Sequence, residues 1–152
     1  MNIFILDKNL KKSAEMLSDQ HLIKQVLELA QIICTVKNLQ GLKTPYRPTH
    51  KNHPATKWAA KNEFFCWRYF YLLVDEHHHR SGKYHKSFVT LKEAFGIQVM
   101  FFDYEAPTDF PIRNDLQLVK EKYKEWVSRP KPMIPRWTNR EIPECFKEVL
   151  GD

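Results

Sequence analysis

From Ser13 to Leu39 the chain carries neither proline nor glycine, and Gly41 follows as a stop signal. A run of that length outlasts any ordinary strand and predicts one long helix. On a wheel of about 100° per residue, Leu22, Ile23, Val26, Leu27, Leu29, Ala30, Ile33 and Cys34 occupy one broad arc. His21 and Glu28 fall nearly on one line outside that arc, with Lys24, Gln25 and Gln31 within about a quadrant. The expectation is a helix buried on its broad face and polar along a narrow edge. Spacing leaves two readings of the edge. It is either a solvated surface, with Lys24 and Glu28 as an i,i+4 pair contributing about 0.2–0.5 kcal/mol, or the lining of a cleft. In a cleft, a carboxylate near apolar walls holds a proton or stabilises a developing cation.

The rest of the chain punctuates itself clearly. Residues 2 to 6, NIFIL, form a short β-like run, and Asp7, Asn9 and Ser13 are alternative caps for the helix that follows. GLKTPYRPTHKNHP, residues 41 to 54, holds three prolines and reads as a loop. A second long helix is predicted from Pro54, suited to a first-turn position, to about Arg80 before Gly82. KSFVTLKEAF predicts a short helix ended by Gly96, and residues 97 to 113 an irregular aromatic connector. NDLQLVKEKYKEWVSRP predicts a helix capped by Asn114 or Asp115 and ended at Pro130. The tail reads as a mostly non-regular arm with a last helical turn. The resulting expectation is an all-α, compact single domain built around two long helices plus a C-terminal helix, joined by Pro-rich loops.

A length of 152 residues fits one domain with a sizeable core. Cys34, Cys66 and Cys145 are odd in number and far apart, which fits neither a disulfide framework nor a zinc ribbon and points to a reducing compartment. The opening MNIFILDKNLKK places its charges after a very short apolar run, unlike a signal peptide, and no segment approaches a membrane span. A soluble cytoplasmic protein with no membrane partner is expected. Net charge is +6, from 24 basic and 18 acidic residues, and aromatics make up 13%. Basic charge mixed with rings suits a nucleic acid, whose bases stack while Lys and Arg hold phosphates.

Two stretches concentrate chemistry outside the first helix. YRPTHKNHPATKW gathers Tyr46, Arg47, His50, Lys51, His53 and Lys57 in one loop and helix start. A helix N-terminus among cations is a natural phosphate seat, although His53 is equally suited to capping the helix. DEHHHRSGKYHKS invites a metal reading, but consecutive histidines diverge by about 100° on a helix and cannot all face one ion. Arg80, Lys83, His85 and Lys86 are expected to form a basic turn instead. Trp58, Phe64, Phe65, Trp67, Tyr69, Phe70 and Tyr71 are mostly core, with one or two, together with Trp137, available to stack on an extruded base. No glycine-rich phosphate loop, paired-aspartate pattern or Ser/His/Asp order is present, so nucleotide hydrolysis has no support.

LSDQHLIKQVLELAQIICTV, residues 17 to 36, resembles the first long helix of the bacteriophage endonuclease V family, the pyrimidine dimer DNA glycosylases. That helix carries an Asp-Gln-His-Leu string followed by a Glu-Leu pair at the same distance. The match sets Asp19, Gln20, His21 and Leu22 on the string and Glu28 on the family's catalytic glutamate. NHPATKWAAKNEFFCWRYF is similar to the family's second helix, and KEKYKEWVSRP to its last helix ending in Arg-Pro, with Trp137 near a family tryptophan. The MNIFILD opening, the PTHKNHP loop and the GKYHKS turn are also similar to phage proteins grouped with these glycosylases.

The resemblance implies an all-α fold and a specific chemistry. A free amine attacks C1′ of the damaged nucleotide, the base leaves and a Schiff base forms; β-elimination then cuts the strand, while the glutamate supports the sugar cation and moves protons. Here the amine is expected at Met1, because the bulk of Asn2 should leave the initiator in place, with Lys24 as the alternative amine and His21 as a further member of the site. An α-amino group ordinarily titrates near pH 8, so a useful part is neutral at physiological pH. Gln20, Arg129, Arg136 and Trp137 join the loop residues as expected DNA contacts. Leu27 and Gln31 stand where the family keeps arginines, so the helix speaks for the chemistry more than for the lesion. The expected partner is double-stranded DNA with a flipped or damaged base, met by a monomer using neither cofactor nor metal. Two other classes stay open: a base-modifying or group-transfer enzyme on the same fold, and a non-catalytic DNA-binding module.

Overall fold

The computed structural model describes residues 2–97, 106 and 114–151. Among them lie seven α-helices, one closing 3-10 turn and no strand, so the fold is all-α as predicted. The predicted connector over residues 97 to 113 lies almost entirely outside the described residues. No helix among those described is long and apolar enough to cross a membrane.

Both predicted long helices are broken once. The first divides into α1, Leu10–Met16, and α2, Asp19–Leu39, because Leu17 and Ser18 are extended. Ser18 Oγ caps α2 by accepting the His21 N–H at 3.3 Å. The carbonyls freed at the end of α1 are taken by a guanidinium: Arg80 donates to Leu17 O at 2.7 Å, Glu15 O at 2.9 Å and Ala14 O at 3.5 Å. The second helix divides into α3, Pro54–Lys61, and α4, Glu63–Ser81, at the single residue Asn62, whose φ is −136°. Its side-chain amide reaches back to the Trp58 carbonyl at 2.9 Å and satisfies part of the break.

α2 packs chiefly against α4. Leu22, Val26, Leu29 and Ile33 of α2 share one apolar core with Phe65, Tyr69, Phe70 and Leu73 of α4. Each such side chain contributes about 1.5–3 kcal/mol by leaving water. α5, Lys86–Phe95, lies against α2, with His85 as its N-cap. α6, Asp115–Ser128, is capped by Asn114, one of the two expected caps, and brings Tyr123 and Trp126 into the core. The tail is a non-regular arm that ends in α7, Glu144–Lys147, and the 3-10 turn Glu148–Leu150.

The β-like opening is extended, and among the described residues it has no strand beside it. Side chains serve its backbone instead. Gln25 Oε1 accepts the Phe4 N–H at 3.0 Å and Gln25 Nε2 donates to Asn2 O at 2.8 Å. Asp115 accepts the Ile5 N–H at 2.9 Å, Ser13 Oγ accepts the Leu6 N–H at 2.9 Å, and the Tyr69 hydroxyl donates to Phe4 O at 2.7 Å. A buried backbone must satisfy its polar groups, and here helices α1, α2, α4 and α6 each supply part of a ladder.

That packing rotates α2 from the orientation its hydropathy predicts. Ile23 and Leu27, assigned to the buried arc, are 48% and 38% exposed, whereas His21 and Gln25 on the polar edge are 2% and 0% exposed. The extended segment and α6 cover the side that carries His21 and Gln25, and both polar groups find hydrogen-bond partners there. Burial of a polar side chain is inexpensive on those terms.

Candidate active site

The solvent-facing strip of α2 runs through Gln20, Lys24, Leu27 and Gln31, with Glu28 half-buried at its margin against the extended segment. Glu28 Oε2 accepts from Gln25 Nε2 at 3.0 Å, and the same amide nitrogen donates to the Asn2 carbonyl. One buried side chain therefore holds both the carboxylate and the second residue of the chain. Met1, the expected source of the amine, lies outside the described residues. Lys24 is exposed one turn before Glu28. A second lysine comes from α6: Lys122 Nζ stands 5.5 Å from the centroid of Phe4.

His21 lies beneath this surface. Its ring meets Phe4, Tyr123 and Trp126 edge to face at 5.1, 5.8 and 6.2 Å, and Nδ1 is 3.0 Å from the Tyr123 hydroxyl. Burial, reinforced by the charges of Lys122 and Lys24, drives its pKa down to about 3. The imidazole is neutral at physiological pH, and as a base it is far too weak to carry protons there.

The two ends of the strip are set by other elements. At the N-terminal end, Gln20 donates to Ile134 O at 2.7 Å and accepts the Arg136 N–H at 3.2 Å. Asp19 accepts from Thr138 N and Oγ1 at 3.0 and 2.6 Å. The side chains of Asp19 and Gln20 are thus committed to docking the C-terminal arm, which leaves the Arg136 side chain exposed beside the helix. At the other end, Thr35 Oγ1 accepts the Thr49 N–H at 3.1 Å and seats the loop carrying Arg47, His50 and Lys51, all exposed. His50 has a φ of +51°, a backbone conformation L residues rarely adopt and one often associated with functional loops.

The remaining expected residues separate. His53 caps α3 by accepting the Ala55 N–H at 3.0 Å, and Lys57 is exposed on that helix. Arg129 is exposed, but Nε and Nη2 both meet Glu125, at 2.7 and 2.8 Å. Trp137 is only 6% exposed, stacked on Phe146 at 5.5 Å with Nε1 donating to Met16 O at 3.0 Å. Its faces are covered, so the stacking role has no open ring to use. Arg80 does not belong to a basic turn: it is 6% exposed and tied to Glu76 at 2.7 Å and Asp19 at 3.1 Å. The histidine run diverges as predicted, with His78 stacked on Tyr84 at 4.2 Å, His77 beside His85 at 5.3 Å and His79 against Asn139 O. Among the described residues no three His, Cys, Asp or Glu side chains are grouped to hold a metal ion.

The family model described as pyrimidine dimer DNA glycosylase matches residues 1–90. This chain belongs to the pyrimidine dimer DNA glycosylase family. No curated protein and no solved structure gives a match. The matched part of the chain runs from the extended segment into α5, and so includes Gln25, Glu28 and the loop of Arg47, His50 and Lys51. The family acts on DNA, and the chain carries a net charge of +6.

Sequence reasoning passed over three residues: Gln25, which holds Glu28, and Tyr123 and Lys122, which meet His21 and Phe4. Gln25 sits at i−3 from Glu28, within reach on a helix, and that spacing was the available signal. Tyr123 and Lys122 come from α6, about a hundred positions away, and nothing local announces them.

Proposed function

We propose that this protein excises a damaged or modified pyrimidine from double-stranded DNA, using an amine nucleophile and Glu28, and then cuts the strand as an AP lyase. The observation that carries the reading is the shared hold of Gln25 on the Asn2 carbonyl and the Glu28 carboxylate, which keeps the start of the chain beside the acid. In the reaction the amine lone pair forms a bond to C1′ as the C1′–base bond breaks, and the departing base takes a proton. The attached amine gives up a proton, the C1′–O4′ bond breaks with a proton going to O4′, and the opened sugar becomes an iminium ion linked to the protein. Loss of a C2′ proton then drives rupture of the C3′–O bond, leaving a free phosphate end. Glu28 stabilises the developing cation and moves the protons, work that suits one carboxylate fixed on a rigid helix. The α-amino group of residue 1 is the proposed nucleophile, with Lys24, one turn from Glu28, as the alternative amine.

DNA is proposed to lie along the solvent-facing strip of α2. From Gln20 to Thr35 that helix rises about 22 Å, about six nucleotide steps along one strand. Arg136 at one end and Arg47, His50 and Lys51 at the other are then spaced for backbone phosphates. Leu27 and Gln31 offer no charge, so apart from Lys24 phosphate binding falls to the ends.

Borohydride trapping tests the reading. The protein is incubated with duplexes bearing a cyclobutane dimer or an abasic site, reduced, and digested to map the adduct. An adduct on the N-terminal peptide, lost in Glu28→Gln and kept in Lys24→Gln, is the expected result. No adduct and no released base on any duplex overturns it.

A further inference from the structure

We infer that Gln25 is a positioning residue for the reaction, holding the nucleophile-bearing end of the chain and the carboxylate of Glu28 in register. The inference rests on the reading above and extends it to a residue that touches neither substrate nor reacting atoms. Gln25 is 0% exposed, in a stripe of α2 otherwise filled by Leu22, Val26 and Leu29. An apolar residue would pack there without the need to satisfy three hydrogen-bonding groups. Each of those groups has a use. Oε1 accepts the Phe4 N–H at 3.0 Å, one Nε2 proton goes to Asn2 O at 2.8 Å, and the other goes to Glu28 Oε2 at 3.0 Å.

The first two bonds reproduce one rung of a β-ladder, with a side-chain amide in place of a neighbouring strand. They fix the backbone on both sides of Ile3. The third fixes one carboxylate oxygen of Glu28 and leaves Oε1 without a hydrogen bond among the described residues. Amide geometry sets the angle between the two Nε2 protons, so Asn2 O and Glu28 Oε2 cannot drift independently. A nucleophile and its acid/base partner must be held to about 0.5 Å for full effect, and a planar amide packed on all sides supplies that constraint.

Gln25→Glu is the decisive variant. It keeps shape and volume but replaces the two amide donors with a second carboxylate beside Glu28. Single-turnover excision and borohydride trapping are followed from pH 5 to 8.5, binding is measured with an uncleavable abasic-site analogue, and melting controls the fold. The expected result is a rate at least tenfold lower at pH 7.5 with affinity within twofold of the parent. The rate should recover as pH falls and one of the paired carboxyls takes a proton, restoring a donor. A purely structural loss would lower melting without moving the pH profile. Should Gln25→Glu fail to fold, Gln25→Met preserves volume, removes all three bonds and carries the same rate-against-affinity test. Parental rate and pH profile in a folded Gln25 variant, with Glu28→Gln inactive, overturn the positioning role alone. Full activity in Glu28→Gln overturns both that role and the proposed active site.

Discussion

The Tyr123 hydroxyl lies 3.0 Å from His21 Nδ1 and accepts the Ser18 N–H at 2.9 Å, so one phenol on α6 serves both the cap of α2 and the buried imidazole of its first turn. Burial raises the Tyr123 pKa to about 12 and lowers that of His21 to about 3, which keeps the pair neutral across the physiological range.

The pair makes stability depend on pH in a defined direction. His21 ordinarily titrates near 6.5 and does so near 3 when folded, so between those values the unfolded chain binds the extra proton. Its contribution is complete above pH 6.5 and falls as pH drops towards 3, at about 1 kcal/mol per pH unit. Urea unfolding at pH 7, 6 and 5 should show this loss, and His21→Leu should flatten it over the same window. An unchanged slope in the variant would assign the pH dependence to other groups.

Arg80 should be the most costly surface-distant charge to remove. It closes the end of α1, pairs with Glu76 and Asp19, and is 6% exposed. Arg80→Met should destabilise by about 3–5 kcal/mol, the usual range when one member of a buried ion pair is lost. Arg80→Lys should recover little, because one compact ammonium with three donors cannot span the carboxylates and carbonyls that Nε, Nη1 and Nη2 reach. Equilibrium denaturation gives both numbers.

Trp137→Phe separates packing from DNA contact. The variant keeps the ring stacked on Phe146 and removes the donor to Met16 O. It should lower stability by about 1–3 kcal/mol, the penalty of an unmet buried carbonyl, and leave DNA affinity within twofold. A large fall in affinity in a stably folded Trp137→Phe would count against the buried placement.

Arg47→Gln with Lys51→Gln should weaken DNA binding uniformly across sequences. Removing one phosphate-neutralising side chain reduces the slope of log K against log salt by about 0.9, so the double variant should bring the slope down by about 1–2. Binding titrations across 50–200 mM salt measure it. The same slope with lower affinity would mean that the loop acts through its shape.

Much of the fold was legible because caps and breakers are local. Gly96 ends α5 as the sequence predicts, Asn114, one of the two expected caps, opens α6, and the described residues are all-α. The two breaks were not legible, since neither involves proline or glycine. Ser18 followed by Asp19 is an N-cap signature inside an apparently continuous helix, but the break depends on Arg80, which is more than sixty positions away. The facing of α2 escaped for a related reason. Hydropathy assigned Ile23 and Leu27 to the core, while His21 and Gln25 are buried by partners at separations of 102 and of 21 and 23 residues. Glu28 was found by its match to a family string; its tie to Gln25 required the packed structure.

The extended opening has a further consequence for the order of events as the protein is made. Residues 2 to 6 are made about a hundred positions before Asp115, so the Ile5 N–H finds its partner only when Asp115 has been synthesised and α6 has docked. Gln25 can meet Asn2 and Phe4 early, but the clamp is not pinned from both sides until then. A nascent chain stalled before residue 115 would therefore lack the Asp115 bond to the Ile5 N–H, while the ties of Gln25 to Asn2, Phe4 and Glu28 would already be within reach.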